Sequence, residues 1–211
     1  MKIKFFLTVF FLSLLPLSAQ TSMEAKNILD AVAETISKQE NLQFNFTYVL
    51  NNRQENIRQE AKGKVVVAGD RYKLDFMGIE QLFDGKKTYT IVPENEEITI
   101  SAAQEDDLGI NPTELLRFYV KGYDYQMDIK QNVKGRPIQF IKLIPSEENP
   151  DIQYLLLGID TNANSIYRLI EVGSNGTQTT LTLNNQLVNQ PLAEDYFRFK
   201  PDQYPDYYIN E

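Results

Sequence analysis

The sequence predicts an α+β chain that is mainly β: an antiparallel meander that closes into a barrel or curls around something, with two helical segments. Three observations predict it. Short segments with an apolar residue at every second position fill most of the chain. Tight-turn residues separate them at short, even spacing, which favours hairpins over crossovers. Only two stretches carry helical patterning instead. No linker or shift in composition divides the remaining chain, so one domain is expected over 20–211.

The first residues read as an export signal rather than as part of the fold. Lys2 and Lys4 form a positive start, and Phe5 to Leu17 is almost wholly apolar. That run is too short to span a bilayer, and no stop-transfer segment follows. Ser18-Ala19-Gln20 offers a cleavage site after Ala19, which makes 1–19 a signal peptide and leaves 192 of the 211 residues. The chain has no Cys, so a lipidated N-terminus of the bacterial lipoprotein type is excluded, as is any disulfide. A soluble exported protein is expected.

The first helix is predicted over 24–38. Thr21-Ser22-Met23-Glu24 matches a capping box, and Ala25, Ile28, Leu29, Val32 and Ile36 share one face. The period then becomes two. Leu42, Phe44, Phe46, Tyr48 and Leu50 alternate with smaller or polar residues; the polar stretch 51–62 reads as a loop. A Val-rich strand at 63–68 turns at Gly69-Asp70 into 71–76, where Tyr72, Leu74 and Phe76 oppose Arg71, Lys73 and Asp75. Strands at 79–83, 87–92 and 97–101 follow, punctuated by Gly78, Asp84-Gly85 and Pro93. An acidic loop, 102–110, interrupts the meander.

Asn111-Pro112-Thr113-Glu114 then signals a helix start, with Asn as cap and Pro in the first turn. This second helix, 112–120, is apolar nearly all round through Leu115, Leu116, Phe118, Tyr119 and Val120, until Gly122 stops it. Such a helix must lie against or inside an apolar surface. Strands resume at 123–130, 137–144, 152–159, 166–172 and 177–184, with Asn175-Gly176 as a two-residue turn. A last short strand is read at 197–199.

Composition excludes several functions. The chain holds no His, so Ser-His and Cys-His catalysis and His-ligated metals are ruled out. Taking Lys2 and Lys4 from the 21 basic residues leaves 19 against 29 acidic ones, a net charge of −10. That balance argues against nucleic acid and against resting on anionic lipid. The acidic groups Glu94, Glu96, Glu97 and Glu105, Asp106, Asp107 read as solvated turns rather than as a hydrolase pair or a Ca²⁺ site. Asp160 to Glu171 has the length of a Ca²⁺ loop, but Ser165 stands where Gly is needed, and strands flank it. No catalytic residue, cofactor or metal is expected, and a binding protein is favoured over an enzyme. The even-numbered face of Phe44, Phe46, Tyr48, Tyr72, Leu74 and Phe76 is either a packed barrel core or a cavity lining, and strand parity does not separate the two.

The ordered set of motifs resembles the LolA family of periplasmic outer-membrane lipoprotein carriers. The resemblance starts at Asn41-Leu42-Gln43-Phe44-Asn45-Phe46-Thr47 and runs through Gly63-Lys64-Val65-Val66-Val67 and Arg71-Tyr72-Lys73-Leu74-Asp75-Phe76. Gln81-Leu82-Phe83-Asp84-Gly85-Lys86-Lys87-Thr88-Tyr89-Thr90-Ile91 is similar to the family's apolar-Asp-Gly-Lys-x-x-aromatic strand pair. Asn111-Pro112 and Leu192 to Pro201 also match. The resemblance implies an open, unclosed antiparallel β-barrel covered by a helical lid made of 24–38 and 112–120. It implies a monomer that takes lipoprotein acyl chains, or another lipid, from an inner-membrane ABC-type releasing complex to an outer-membrane acceptor. With Phe44, Phe46, Tyr48, Tyr72, Leu74 and Phe76, the cavity lining would include Tyr89, Ile91, Leu115, Leu116 and Tyr119. The family's Arg-Pro lid latch is replaced here by Ala68-Gly69-Asp70, and Arg71 is the candidate to stand in for it. A lipid-binding or lipid-sensing protein of the same fold is the alternative; regulators of this kind usually carry a further C-terminal domain, and none is evident after Pro201.

Overall fold

The computed structural model describes residues 17–102 and 111–210. Most of the expected signal segment and the acidic residues Glu105, Asp106 and Asp107 lie outside the described residues. Helix α1 spans Leu17–Ser37. Six strands follow: β1 Leu42–Asn52, β2 Ile57–Ala68, β3 Arg71–Phe76, β4 Ile79–Phe83, β5 Lys87–Val92 and β6 Glu97–Ala102. A single helical turn, α2, covers Pro112–Leu115. Then come β7 Tyr123–Val133, β8 Arg136–Pro145, β9 Ile152–Asp160, β10 Ser165–Gly173, β11 Thr177–Val188 and β12 Tyr208–Asn210.

All twelve strands form one sheet in the order β12-β6-β5-β4-β3-β2-β1-β11-β10-β9-β8-β7. The two ends of that order do not pair with each other, so the barrel is unclosed. The pairing of β1 with β11 joins the two meanders, from Leu42 opposite Val188 to Asn52 opposite Thr177. Asn41 fixes this seam. Its Nδ2 donates to the Gln190 carbonyl at 2.8 Å, and its Oδ1 accepts from the Gln190 N–H at 3.0 Å.

Residues directly opposite in antiparallel strands share a face, which makes the inner face traceable. Phe46 stands opposite Gly63 and Leu183, and Leu74 opposite Val65 and Gln81. Leu181 continues through Leu169 and Leu157 to Ile141. These residues form the main core with Ala25, Leu29 and Val32 of α1, which packs across the concave side, mainly against β7. Gly63 has a specific reason to be Gly. The Phe46 ring lies across it, and a Cβ there would fall 2.2 Å from the ring's Cζ.

Five features depart from the sequence reading. Helix α1 already includes 17–23, ahead of the expected start at Glu24, because nothing in that stretch breaks a helix; Thr21 lies within it rather than at its end. The polar stretch 51–62 is mostly strand, with only 53–56 as a turn. The first half of β2 is exposed, so it lacks an apolar period, and its pairing with β1 rests on the backbone ladder. The second helix is shorter than 112–120. It is α2 and a separate 3₁₀ turn at Phe118–Val120, divided at Arg117, whose φ of −131° leaves the helical region. The segment 197–199 is not a strand; Phe197 ends a turn and packs on Val66 and Leu82. The sixth strand of the second half is instead β12, parallel to β6.

The outer face is therefore covered in part. Residues 191–207 cross the back of β2, β4 and β5. Tyr89, Phe199 and Tyr204 stack in turn, with ring centroids 4.5 and 5.7 Å apart. A second outer cluster, Ile138, Phe140 and Tyr167, sits behind β8 to β10.

Candidate functional site

A cavity of about 320 Å³ opens between the concave face and the α2 turn. Its wall is made by Phe44, Phe46, Tyr48, Val65 and Leu74 on one side and by Leu155, Leu169 and Leu181 on the other. Asn111, Pro112, Leu115 and Phe118 roof it. A larger cleft of about 730 Å³ lies between the end of α1, the start of β1, the β2–β3 turn and the same lid segment. Phe118 and Glu114 line both spaces, so the α2 segment is the partition between them.

The lid segment is held by three local devices. Asn111 Oδ1 accepts the Thr113 and Glu114 N–H groups at 3.0 and 3.3 Å, which starts α2 as its sequence predicts. The Tyr125 hydroxyl of β7 donates to the Tyr119 carbonyl at 2.8 Å and lies 3.2 Å from that of Val120. Arg117 reaches Asp70 of the β2–β3 turn at 3.4 Å, with both side chains largely exposed. Such a pair contributes little. Tyr119 is fully buried, and its hydroxyl has no hydrogen-bond partner among the described residues. Burial pushes this phenol up to about 12.

The predicted site residues divide into four groups. Phe44, Phe46, Tyr48, Leu74 and Leu115 lie on the cavity wall. Tyr72, Phe76 and Tyr119 are buried in the same core without lining the cavity. The Tyr72 hydroxyl donates to Gln81 Oε1 at 3.0 Å, and the Phe76 ring backs Phe46 at 5.2 Å. Leu116 faces the larger cleft instead.

Tyr89, Ile91 and Arg71 form the fourth group, on the outer face. Tyr89 and Ile91 do not line the cavity. They stand opposite Leu82 and Glu80, on the outer face. Both are apolar because the tail covers that face, and Tyr89 also donates to Asp84 Oδ2 at 3.1 Å. Burial pushes the Asp84 carboxyl up. The Lys87 and Lys86 N–H groups and the Tyr89 hydroxyl together outweigh it and hold the group below its ordinary value. Arg71 is likewise on the outer face, 5.0 Å from the Phe197 ring centroid. It pins the tail rather than the lid. The charged contact between the β2–β3 turn and the lid is Asp70–Arg117.

The sequence reading missed Val65, Phe118, Tyr123, Leu155, Leu169, Leu181 and Glu171 as lining residues. The odd-numbered alternation of Tyr123 and Tyr125 carried a signal for the first half of β7. The run Tyr154 to Leu157 is apolar on both faces, so its inward members were not separable. Asp160 forms a hairpin turn, its Oδ1 accepting the Asn162 and Ala163 N–H groups at 3.1 and 3.3 Å. Among the described residues, no group of three or more Asp, Glu, His or Cys side chains is placed to share a metal ion.

A mainly antiparallel, unclosed sheet around an apolar cavity, roofed by a short capped segment, is the arrangement that the family resemblance implied. The family model described as outer membrane lipoprotein carrier protein LolA matches residues 37–200. The chain belongs to the LolA family. Its fold is shared by an uncharacterized conserved protein from Thermus thermophilus, with a TM-score of 0.56 and 13% identity over 88% of this chain and 98% of that one. LprF from Mycobacterium bovis has a TM-score of 0.50 and 15% identity over 82% and 96% of the two chains. A DUF1329 family protein from Desulfovibrio piger has a TM-score of 0.50 and 10% identity over 84% and 97%. Comparison with curated protein sequences finds no match. Among the described residues no helix is long and apolar enough to cross a membrane.

Proposed function

We infer that this LolA-family protein is a periplasmic carrier that holds lipoprotein acyl chains in its apolar cavity and ferries them from the inner to the outer membrane. The observation that carries the reading is the cavity of about 320 Å³ under a lid segment, in a chain that the family model matches over 37–200. Its partners would be an inner-membrane ABC-type releasing complex and an outer-membrane acceptor. The protein would work as an exported monomer after loss of 1–19, binding its cargo without a reaction.

The physics suits transfer. Each acyl CH₂ taken from water gains about 0.8 kcal/mol, so full burial of several long chains would hold the cargo too tightly to release. The cavity is at the small end of ligand-pocket sizes, near 300 Å³. Long chains would fill it only in part, or would displace Phe118 and extend into the neighbouring cleft. The outward position of Arg71 favours a second reading, a lipid-binding or lipid-sensing protein of the same fold without the carrier's latch. Mass spectrometry of protein taken from its native periplasm separates the two. Triacylated peptide among the bound species supports the carrier, and free lipid alone supports the second reading.

A further inference from the structure

Among the described residues, the charges on the cavity wall are all of one sign. Two charged ones among the described residues line it, Glu171 of β10 and Glu114 of α2, and no Lys or Arg does. Glu171 stands opposite Thr179 and Leu155, in line with Leu169 and Leu181 on the inner face. Among the described residues, neither carboxylate has an ion-pair partner. The field of Glu171 reaches into the site: after burial, its charge is the second cause that raises the Tyr123 phenol. The other polar lining groups, Thr179, Asn111, Tyr48 and Tyr123, are neutral. An apolar wall ending in carboxylates suits an amphiphile whose polar end is cationic, because a buried or half-buried charge needs an opposite partner.

We propose that this cavity selects amphiphiles bearing a primary ammonium group over those bearing a carboxylate, with Glu171 as the residue that determines the preference. The inference rests on the lipid-binding reading above and adds the charge of the head group to it. Glu114 contributes a second, more exposed carboxylate from the lid, so that closing the lid brings negative charge towards the cargo's polar end. Carboxylate amphiphiles meet both groups as like charges.

The test is displacement of the uncharged fluorescent probe N-phenyl-1-naphthylamine by decanol, decylamine and decanoate at pH 7. Decanol reports the apolar cavity alone. Decylammonium is expected to displace the probe at a concentration about tenfold below decanoate, the scale of one partly screened charge contact. Glu171→Gln should remove most of that ratio, each concentration being read relative to decanol on the same variant. Glu94→Gln, which removes the same charge from the β5–β6 turn, should leave the ratio as it is and so separates the local effect from net charge. Glu114→Gln carries the same test from the lid if E171Q loses decanol displacement through misfolding. If decanol displaces but decanoate matches decylammonium, or if E94Q lowers the ratio as far as E171Q does, the charge preference is overturned. If decanol fails to displace the probe from the wild-type protein, the cavity does not bind amphiphiles, and both readings fall.

Discussion

The Tyr125 hydroxyl donates to the Tyr119 carbonyl at 2.8 Å, and this bond ties the edge strand β7 to the roof of the cavity. The bond crosses from a rigid ladder to a segment that has only one α-helical turn of its own. A hydrogen bond of this kind contributes about 1 kcal/mol net. Tyr125→Phe is therefore expected to speed amide hydrogen exchange at 118–121 about fivefold, with little change in the sheet. Equal protection in the variant would show that other contacts hold the lid.

The buried Tyr119 hydroxyl has no partner among the described residues, so Tyr119→Phe should be neutral or stabilising by about 1 kcal/mol. Because burial raises this phenol in the folded state, its contribution to stability is present below pH 10 and is lost as pH rises towards about 12. Urea unfolding from pH 9 to 12 should show a smaller alkaline loss for Tyr119→Phe than for the wild type.

Gly63→Ala places a methyl 2.2 Å from Phe46 Cζ and 2.8 Å from the Asp75 carbonyl oxygen. The backbone oxygen cannot move away as a side chain can. The expected loss is about 1–3 kcal/mol, the usual scale for overpacking. Thermal unfolding gives the value; an unchanged Tm would mean that both the Phe46 ring and the strand backbone at Asp75 give way, and then the cavity wall is soft.

Tyr89→Ala separates the two faces of the sheet. Loss of its stack on Phe199 should lower the Tm by several degrees and leave probe affinity in the cavity unchanged. Phe46→Ala should lower both. A Tyr89→Ala variant that loses probe affinity at an unchanged Tm would contradict the outward placement.

These residues mark what was legible in the sequence. Alternation placed Tyr72, Leu74 and Phe76 inward because Arg71, Lys73 and Asp75 had to meet solvent. The same rule failed at Tyr89 and Ile91, since their alternates Thr88 and Thr90 are uncharged and the outer face there is dry under the tail. Parity identifies two faces but names the inner one only when the other is wetted. The β1–β2 hairpin was hidden for the opposite reason. Solvent wets both sides of its distal half, and the ladder leaves no hydropathy signal. Asn111 and Pro112 gave the start of the lid; its break at Arg117 is a tertiary effect, since Tyr119 turns into the core while Tyr125 binds the carbonyls of Tyr119 and Val120.

Release from membranes tests the carriage of lipoproteins most directly. Spheroplasts of the source organism would be loaded with a labelled lipoprotein, and purified protein would be added with ATP. Soluble lipoprotein in complex with this chain is expected, dependent on both additions. Leu116→Asp, which puts a charge at a buried lid position, should lose release while circular dichroism shows the sheet intact. No release by the wild-type protein, alongside firm binding of free lipid, would contradict carriage and leave the lipid-binding reading in its place.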